Sequence, residues 1–257
     1  MGYELWIGLR FLRAKRRHAA ISLVTLLSVL GVSVGVTALI VVLSVMTGFA
    51  ESLKERILGF TAHVVVTGRK EEVPQELDLA ARLRQVPGVV GATPFLVREV
   101  ILQGPTRAAG AVVRGLDPQS AATVLPLGKI LKDMDPADLA RPSAGGEPGI
   151  VLGKELMRYL GCGIGDRVVM VVPLGTATPW GTLPKWKRFE VRGFFDSGYW
   201  EFDFRLGYVD LAVAQEVFEA PSRVTGVELR LADLYKAAEV RKAINGSELG
   251  RQYVAED

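Results

Sequence analysis

The chain has 257 residues, 49% of them hydrophobic, which is enough for one or two domains with a sizeable core. Its net charge of +3 is small for this length and gives no indication of nucleic-acid binding. The single cysteine, Cys162, excludes an intramolecular disulfide, and we interpret it as a small turn or core residue. The two histidines, His18 and His63, are too isolated for a zinc site and are interpreted as structural or solvated.

The N-terminal region predicts a membrane anchor. Five basic residues lie between Arg10 and Arg17, and no charged residue occurs from Ala19 to Ala50. A spanning helix needs about 20 apolar residues, so we assign residues 19–48 to a transmembrane helix. Because positively charged flanks stay in the cytoplasm, residues 1–18 are predicted to be a cytoplasmic or interfacial N-terminus, with the main domain outside.

A cleaved signal peptide is the alternative to this anchor. Gly48 and Ala50 would suit its cleavage site, but the apolar part of a signal peptide is about 7–15 residues, roughly half of this run. We therefore expect the helix to be retained. Gly31 and Gly35 form a GxxxG pattern, in which small side chains let another helix approach closely, and we predict a helix-packing role for them.

The segment after the span is predicted to continue as an amphipathic helical stalk to about residue 59, because Phe49, Leu53 and Ile57 recur every four residues. Strand and helix patterns then alternate irregularly, which predicts an α+β domain with mixed or antiparallel sheets over residues 60–257. We expect two lobes, one built from residues 60–118 and 210–257 and one inserted at 119–209. The predicted strands cover residues 63–67, 95–102, 110–114, 150–152, 167–172, 189–195, 206–209 and 226–231, and the predicted helices cover 76–85, 154–160, 213–219 and 234–244.

One loop within this domain predicts a binding function. Residues 173–188, PLGTATPWGTLPKWKR, separate two apolar strands and contain three prolines, which predicts a stiffened, projecting hairpin. Trp180 near its tip is costly to expose unless it meets a partner, although it could instead fold back onto its own domain. Packing and partner contact remain equal alternatives for Trp186, whereas Trp200 and Phe194 are interpreted as core residues.

No motif of catalysis or nucleotide binding is present. The sequence lacks GxxxxGK[ST], GxSxG, HExxH and CxxC, so it predicts no ATP site of the P-loop type. Its acidic residues are scattered and offer no defensible acid/base pair. We therefore assign no catalytic, cofactor-binding or metal-binding residue and expect no cofactor, which leaves a membrane-anchored periplasmic enzyme as the weakest hypothesis.

The N-terminal stretch YELWIGLRFLRAKRRHAAISLVTLLSVLGVSVGVTALIVVLSVMTGF resembles the start of LolC/LolE-type lipoprotein-releasing permeases, within the broader MacB/FtsX superfamily. PGIVLGKELMRYLGCGIGD and VRGFFDSGYWEFD resemble the periplasmic domain of this family, so the resemblance covers essentially the whole chain. It implies an inner-membrane permease with four transmembrane helices, the first two flanking a MacB-type periplasmic domain. It also implies a LolD-like cytoplasmic ATPase as partner and an outer-membrane lipoprotein as substrate.

The Thr-Pro-x-Gly-x-x-Pro pattern resembles the family's hook, which recruits a LolA-like periplasmic chaperone in LolC-type permeases. The matching residues are Thr178, Pro179, Trp180, Gly181, Thr182, Leu183 and Pro184. The resemblance implies that basic residues at the base of the hook, here Lys185, Lys187 and Arg188, assist docking. Two departures are Trp180, where an aliphatic or Met side chain is more usual, and the apolar pair Val168 and Val169, where a further basic residue is expected.

The resemblance also implies a second permease, either another copy or a paralogue. The chain ends before any second span, so we expect the later helices and the ATPase-binding loop to lie outside it, and we expect no transport from this polypeptide alone. An FtsX-like signalling scaffold for a cell-wall hydrolase and a MacB-like efflux subunit are the alternative functions. The hook-like segment argues against the scaffold, which needs no chaperone-docking feature.

Overall fold

The computed structural model describes residues 3, 6, 7, 10, 19–58, 62–69, 72–74, 78–125, 127–131, 134–173, 177–178, 181–182 and 184–257. The chain divides into two compact units, Met1–Glu55 and Arg56–Asp257.

The first unit is dominated by one long helix, α1 (Ala19–Leu58). Within it, the 27 residues Leu23–Phe49 have a mean hydropathy of 2.6 and are long and apolar enough to cross a membrane. The hydroxyls of Ser28, Thr37 and Thr47 each donate to the carbonyl four residues earlier, at 2.7–2.9 Å. These bonds satisfy the polar side chains within the helix itself, as a lipid environment requires.

The second unit is an α+β domain. Its described strands are β1 (Val64–Gly68), β2 (Val73–Pro74), β3 (Val89–Gln103), β4 (Ala108–Leu116), β5 (Gly149–Gly153), β6 (Arg167–Val172), β7 (Ala177–Thr178), β8 (Gly181–Thr182), β9 (Lys185–Phe195), β10 (Leu206–Asp210), β11 (Arg223–Val224), β12 (Gly226–Leu231) and β13 (Tyr253–Glu256). Its described helices are α2 (Leu79–Arg84), α3 (Pro118–Ala121), α4 (Leu127–Ile130), α5 (Lys154–Leu160), α6 (Trp200–Arg205), α7 (Leu211–Val217) and α8 (Ala237–Gly246). Short 3₁₀ segments occupy Pro136–Leu139, Leu234–Lys236 and Leu249–Arg251.

Among the described residues, nine strands form one mixed sheet in the order β13-β1-β12-β3-β4-β10-β5-β9-β6. Strand β3 pairs with β12 along its N-terminal half and with β4 along its C-terminal half. Its last three residues, Ile101 to Gln103, also pair with β6. This last pairing closes six strands, from β3 round to β6, into a small barrel, with β12, β1 and β13 as an extension. The predicted α+β class with mixed sheets is confirmed.

Alternating apolar residues of these strands fill the core. The largest cluster packs α2, α5, α7 and α8 against both the barrel and its extension, and a second cluster lies under α3 and α4. Strands from the two predicted lobes hydrogen-bond within the same sheet, since β10 of the inserted segment pairs with β4. The lobe boundaries at residues 119 and 209 stay a prediction.

One ion pair lies inside this core. Arg114 on β4 donates to the carboxylate of Glu228 on β12, whose side chain is 3% exposed. The Arg114 guanidinium also stacks over the ring of Phe95 at 4.8 Å. Burial raises the pKa of the neighbouring Tyr208 to about 12, so its hydroxyl stays protonated at any physiological pH. The ion pair of Arg114 and Glu228 links β4 of the barrel to β12 of the extension, and both charged side chains are largely shielded from solvent.

Several sequence predictions are tested directly by the structure. Strands β6 and β12 and helix α5 have the predicted bounds, and Cys162 is buried as expected. Burial raises the pKa of the Cys162 thiol, which disfavours the nucleophilic thiolate. The interpretation of Trp200 as a core residue is wrong: it opens α6, a helix that the sequence did not indicate, and is 63% exposed while stacking on Phe204.

Candidate functional site: the projecting hairpin

The predicted hook continues from the hairpin formed by β6 and β9. These strands pair in antiparallel register from Arg167 opposite Glu190 to Val172 opposite Lys185. Beyond that point β7 and β8 pair again, with Thr178 opposite Gly181. The paired residues 177–178 and 181–182 therefore form a second ladder in the connection between β6 and β9.

The predicted hook residues Pro179, Trp180 and Leu183 lie outside the described residues. In the sequence, Pro179 and Trp180 are the two residues between the paired positions Thr178 and Gly181. Pro184, which precedes β9, is exposed.

The root of the hairpin is fixed in the domain on both sides. β6 pairs with β3 on the side opposite to β9, and β9 pairs with β5 on the side opposite to β6. Val168 and Met170 on β6 and Phe189 on β9 are fully buried. A projecting segment on such a root starts from a defined position, which is a requirement for a docking element with low entropic cost of binding.

The basic residues at the hairpin root differ in their surroundings. Lys187 Nζ lies 2.6 Å from Glu216 Oε1, and Lys185 Nζ lies 3.4 Å from Glu219 Oε1. Arg188, opposite Val169 on β6, is exposed; among the described residues no carboxylate lies within 4 Å of it, but its charge helps to lower the pKa of Glu147. Two of the three predicted docking cations are thus held by glutamates near the end of α7. Sequence reasoning missed these glutamates because about thirty residues separate them from the lysines.

A groove opens beside the start of the hairpin. It has a volume of about 560 Å³ and is lined by Ile101, Gly110, Pro173, Trp200 and Phe204, among others. The rings of Trp200 and Phe204 stack with their centroids 4.8 Å apart.

The structure does not test the helix-packing site that the sequence predicts. Gly31 and Gly35 both lie in α1, and their role in packing against a further helix stays a prediction. Within the described ranges, no group of three or more His, Cys, Asp or Glu residues is arranged to hold a metal ion.

The described residues thus comprise one helix long and apolar enough to cross a membrane and an α+β domain with a mixed sheet. The chain belongs to the family of MacB-like periplasmic core domains, which it matches over residues 25–247. This membership and the relatives described next confirm the resemblance to LolC-like proteins of the MacB superfamily.

Two curated relatives illustrate the similarity. The lipoprotein-releasing system transmembrane protein LolC of Xylella fastidiosa (strain Temecula1) is 39% identical over 234 residues, covering 91% of this chain and 55% of that protein. The corresponding LolE of Haemophilus influenzae is 25% identical over 242 residues, covering 92% and 57%. The chain thus spans about half the length of the curated relatives it matches. Among solved structures, the periplasmic region of MacB from Actinobacillus actinomycetemcomitans is similar over 79% of this chain and 91% of that chain, with a TM-score of 0.46 and 12% identity.

Proposed function

We propose that this chain is part of the permease subunit of an ABC transporter that releases outer-membrane-destined lipoproteins from the inner membrane. In this proposal the subunit hands the lipoprotein to a LolA-like periplasmic chaperone. The hairpin extension at residues 173–184 carries the proposal, because a transport subunit that passes cargo to a soluble chaperone needs a projecting docking element. The similarity to proteins named for a lipoprotein-releasing system supports the same class of cargo.

The proposal divides the work among several proteins. ATP hydrolysis belongs to a separate LolD-like cytoplasmic ATPase, since the sequence contains no P-loop. A second permease, identical or paralogous, completes the membrane part, and Gly31 and Gly35 are candidates for helix contacts there. The hook-like pattern at residues 178–184, rather than the identities, supports a LolC-like subunit, since the LolC and the LolE of Haemophilus influenzae are 28% and 25% identical to this chain. An FtsX-like scaffold or a MacB-like efflux subunit explains neither the hairpin nor this similarity.

The proposed topology makes a first prediction. With residues 1–18 cytoplasmic and α1 retained in the inner membrane, alkaline phosphatase fused after Gly68 should be active, because that enzyme matures only outside the cytoplasm. Green fluorescent protein at the same position should be dark after Sec-dependent export. Recovery of a mature protein beginning at Glu51 would show instead that the apolar segment is a cleaved signal peptide.

Removal of the hairpin extension tests the proposed function. We expect replacement of residues 174–183 by Gly-Ser to abolish capture of a purified LolA-type chaperone by the membrane-embedded chain, while the β6–β9 pairing and the fold are retained. A Gly-Ser insertion between Gly145 and Gly146, in an exposed turn of the same domain, is the matched control and should leave capture intact. Undiminished capture by the shortened chain would contradict the proposal.

A further inference from the structure

The end of helix α7 contacts the root of the hairpin through three bonds. Lys185 Nζ donates to the backbone carbonyl of Glu216 at 3.0 Å and lies 3.4 Å from Glu219 Oε1. Lys187 Nζ donates to Glu216 Oε1 at 2.6 Å. Lys185 is the first residue of β9 and pairs with Val172, the last residue of β6. The three bonds therefore act on the point where the barrel hairpin becomes the projecting segment.

The backbone at Glu219 shows that this arrangement has a conformational cost. Helix α7 ends in a Schellman motif, in which the Ala220 N–H donates to the Gln215 carbonyl at 3.0 Å and the Glu219 N–H donates to the Glu216 carbonyl at 3.4 Å. Glu219 occupies the left-handed position of this motif, with φ of 53°. Glycine is the usual residue at this position because it has no Cβ to clash. A glutamate here is strained, and its carboxylate is the group that reaches Lys185.

The electrostatic setting favours the same contact. A lysine near the last carbonyls of a helix interacts favourably with the negative end of the helix dipole. Each ion pair is partly exposed, with side chains between 27% and 67% accessible, so each contributes little alone. All three bonds nevertheless restrain the same short segment of β9, Lys185 to Lys187, and all of them come from the side of α7.

We propose that Glu216 and Glu219 form a brace that sets the direction of the hairpin, which makes them positioning residues for the docking of the chaperone. This inference rests on the proposed function for its partner, but the restraint itself is a property of this chain. It assigns Lys185 and Lys187 to the brace rather than to direct contact with the chaperone. Arg188 is exposed and lies outside the brace, with Glu147 as its electrostatic neighbour, and this assignment leaves it as the cation of the root available to a partner.

Four variants of the membrane-embedded chain separate the brace from direct docking. Glu216→Gln with Glu219→Gln removes both carboxylates, and Glu239→Gln with Glu248→Gln removes two exposed carboxylates on and after α8 as a charge-matched control. Glu219→Gly removes the contact and relieves the strained backbone. The exchange Lys187→Glu with Glu216→Lys reverses one ion pair while retaining its geometry.

The readouts are the affinity for a purified LolA-type chaperone and the mobility of a nitroxide label at position 182, introduced as Thr182→Cys in a Cys162→Ala background. We expect the double glutamine variant to weaken chaperone binding about fivefold and to increase label mobility, while the control changes neither. Glu219→Gly should weaken binding about threefold although its melting temperature is equal to or above that of the wild type. The combined exchange should bind the chaperone more tightly than Lys187→Glu alone or Glu216→Lys alone.

Two results would contradict the proposal that Glu216 and Glu219 form a brace. If loss of the glutamates tightens chaperone binding, the lysines are docking cations that the glutamates compete for. If label mobility is unchanged in the double glutamine variant, the hairpin does not depend on these contacts. A wild-type chain that fails to bind the chaperone refutes the proposed function instead, and the mobility measurement still decides whether the brace exists.

Discussion

Truncation of Trp180 to alanine should weaken chaperone binding by about 30-fold or more, which corresponds to the ~2 kcal/mol threshold of an interface hot spot. The side chain offers the largest apolar surface in the hook sequence, and Pro179 and Pro184 limit the backbone entropy that docking must remove. The resemblance implies a chaperone that carries lipid in an apolar cavity, and an apolar tip at the rim of that cavity suits this partner.

The melting temperature of the domain should stay nearly unchanged in Trp180→Ala, because the β7–β8 pairing lies beyond the end of the β6–β9 ladder. Titration calorimetry with the purified chaperone and a thermal melt are the two measurements. Tyr235→Ala is the matched control, since it truncates an aromatic side chain that is 80% exposed and lies outside both the hairpin and the groove beside it. A melting temperature lowered by several degrees with affinity intact would identify Trp180 as a packing residue and refute the hook assignment.

The second large effect is expected at the buried ion pair. Glu228→Leu should lower the free energy of unfolding by about 3–5 kcal/mol, because it leaves the Arg114 guanidinium without its counter-charge in the core. For a domain of this size that loss corresponds to a melting temperature lower by roughly 10 °C. Replacing both partners, with Arg114→Met and Glu228→Leu, should recover most of the stability, since a buried pair exchanged for apolar residues is often neutral.

Asp257→Asn is the control for this cycle. It breaks the ion pair of Arg241 and Asp257, whose side chains are 39% and 27% exposed, and should cost less than about 1 kcal/mol. With Arg114→Met as the second single variant, equilibrium denaturation of the wild type, the two single variants and the double variant completes the cycle. A Glu228→Leu protein that melts within a degree or two of the wild type would show that the pair is not desolvated as the structure indicates.

The sequence predicted local elements better than their assembly. α5 follows from a short run between Gly153 and Gly161, and β6 follows from an apolar run that ends before Pro173; the bounds of both agree with the structure. α6 was missed because its six residues, WEFDFR, have no periodic stretch long enough to separate a helix from a strand. The interpretation of Trp200 as a core residue was wrong because apolar character alone does not determine which side of a short helix faces solvent.

The position of the candidate site stays a prediction, and the side chains that contact its root could not be predicted from the sequence. The prolines and glycine of residues 173–184 predict a projecting turn, and the resemblance implies its role. The bonds from Glu216 and Glu219 to the lysines of β9 depend on the tertiary packing of α7, which no local pattern encodes. The closure of β3 onto β6 is likewise a pairing between strands more than sixty residues apart.

That closure has a mechanical consequence for a subunit whose hairpin is pulled by a partner. Hydrogen bonds between strands run across the strand direction, so tension along β6 and β9 loads them in shear. A pull at the tip moves β6 and β9 in the same direction, so the load falls on the two outer ladders, β6 with β3 and β9 with β5. These bonds must break together, whereas a hairpin at a free sheet edge would unzip one bond at a time. In the proposed function, the closed ring of strands would let the hairpin withstand the detachment of a loaded chaperone while β6 and β9 stay in the sheet.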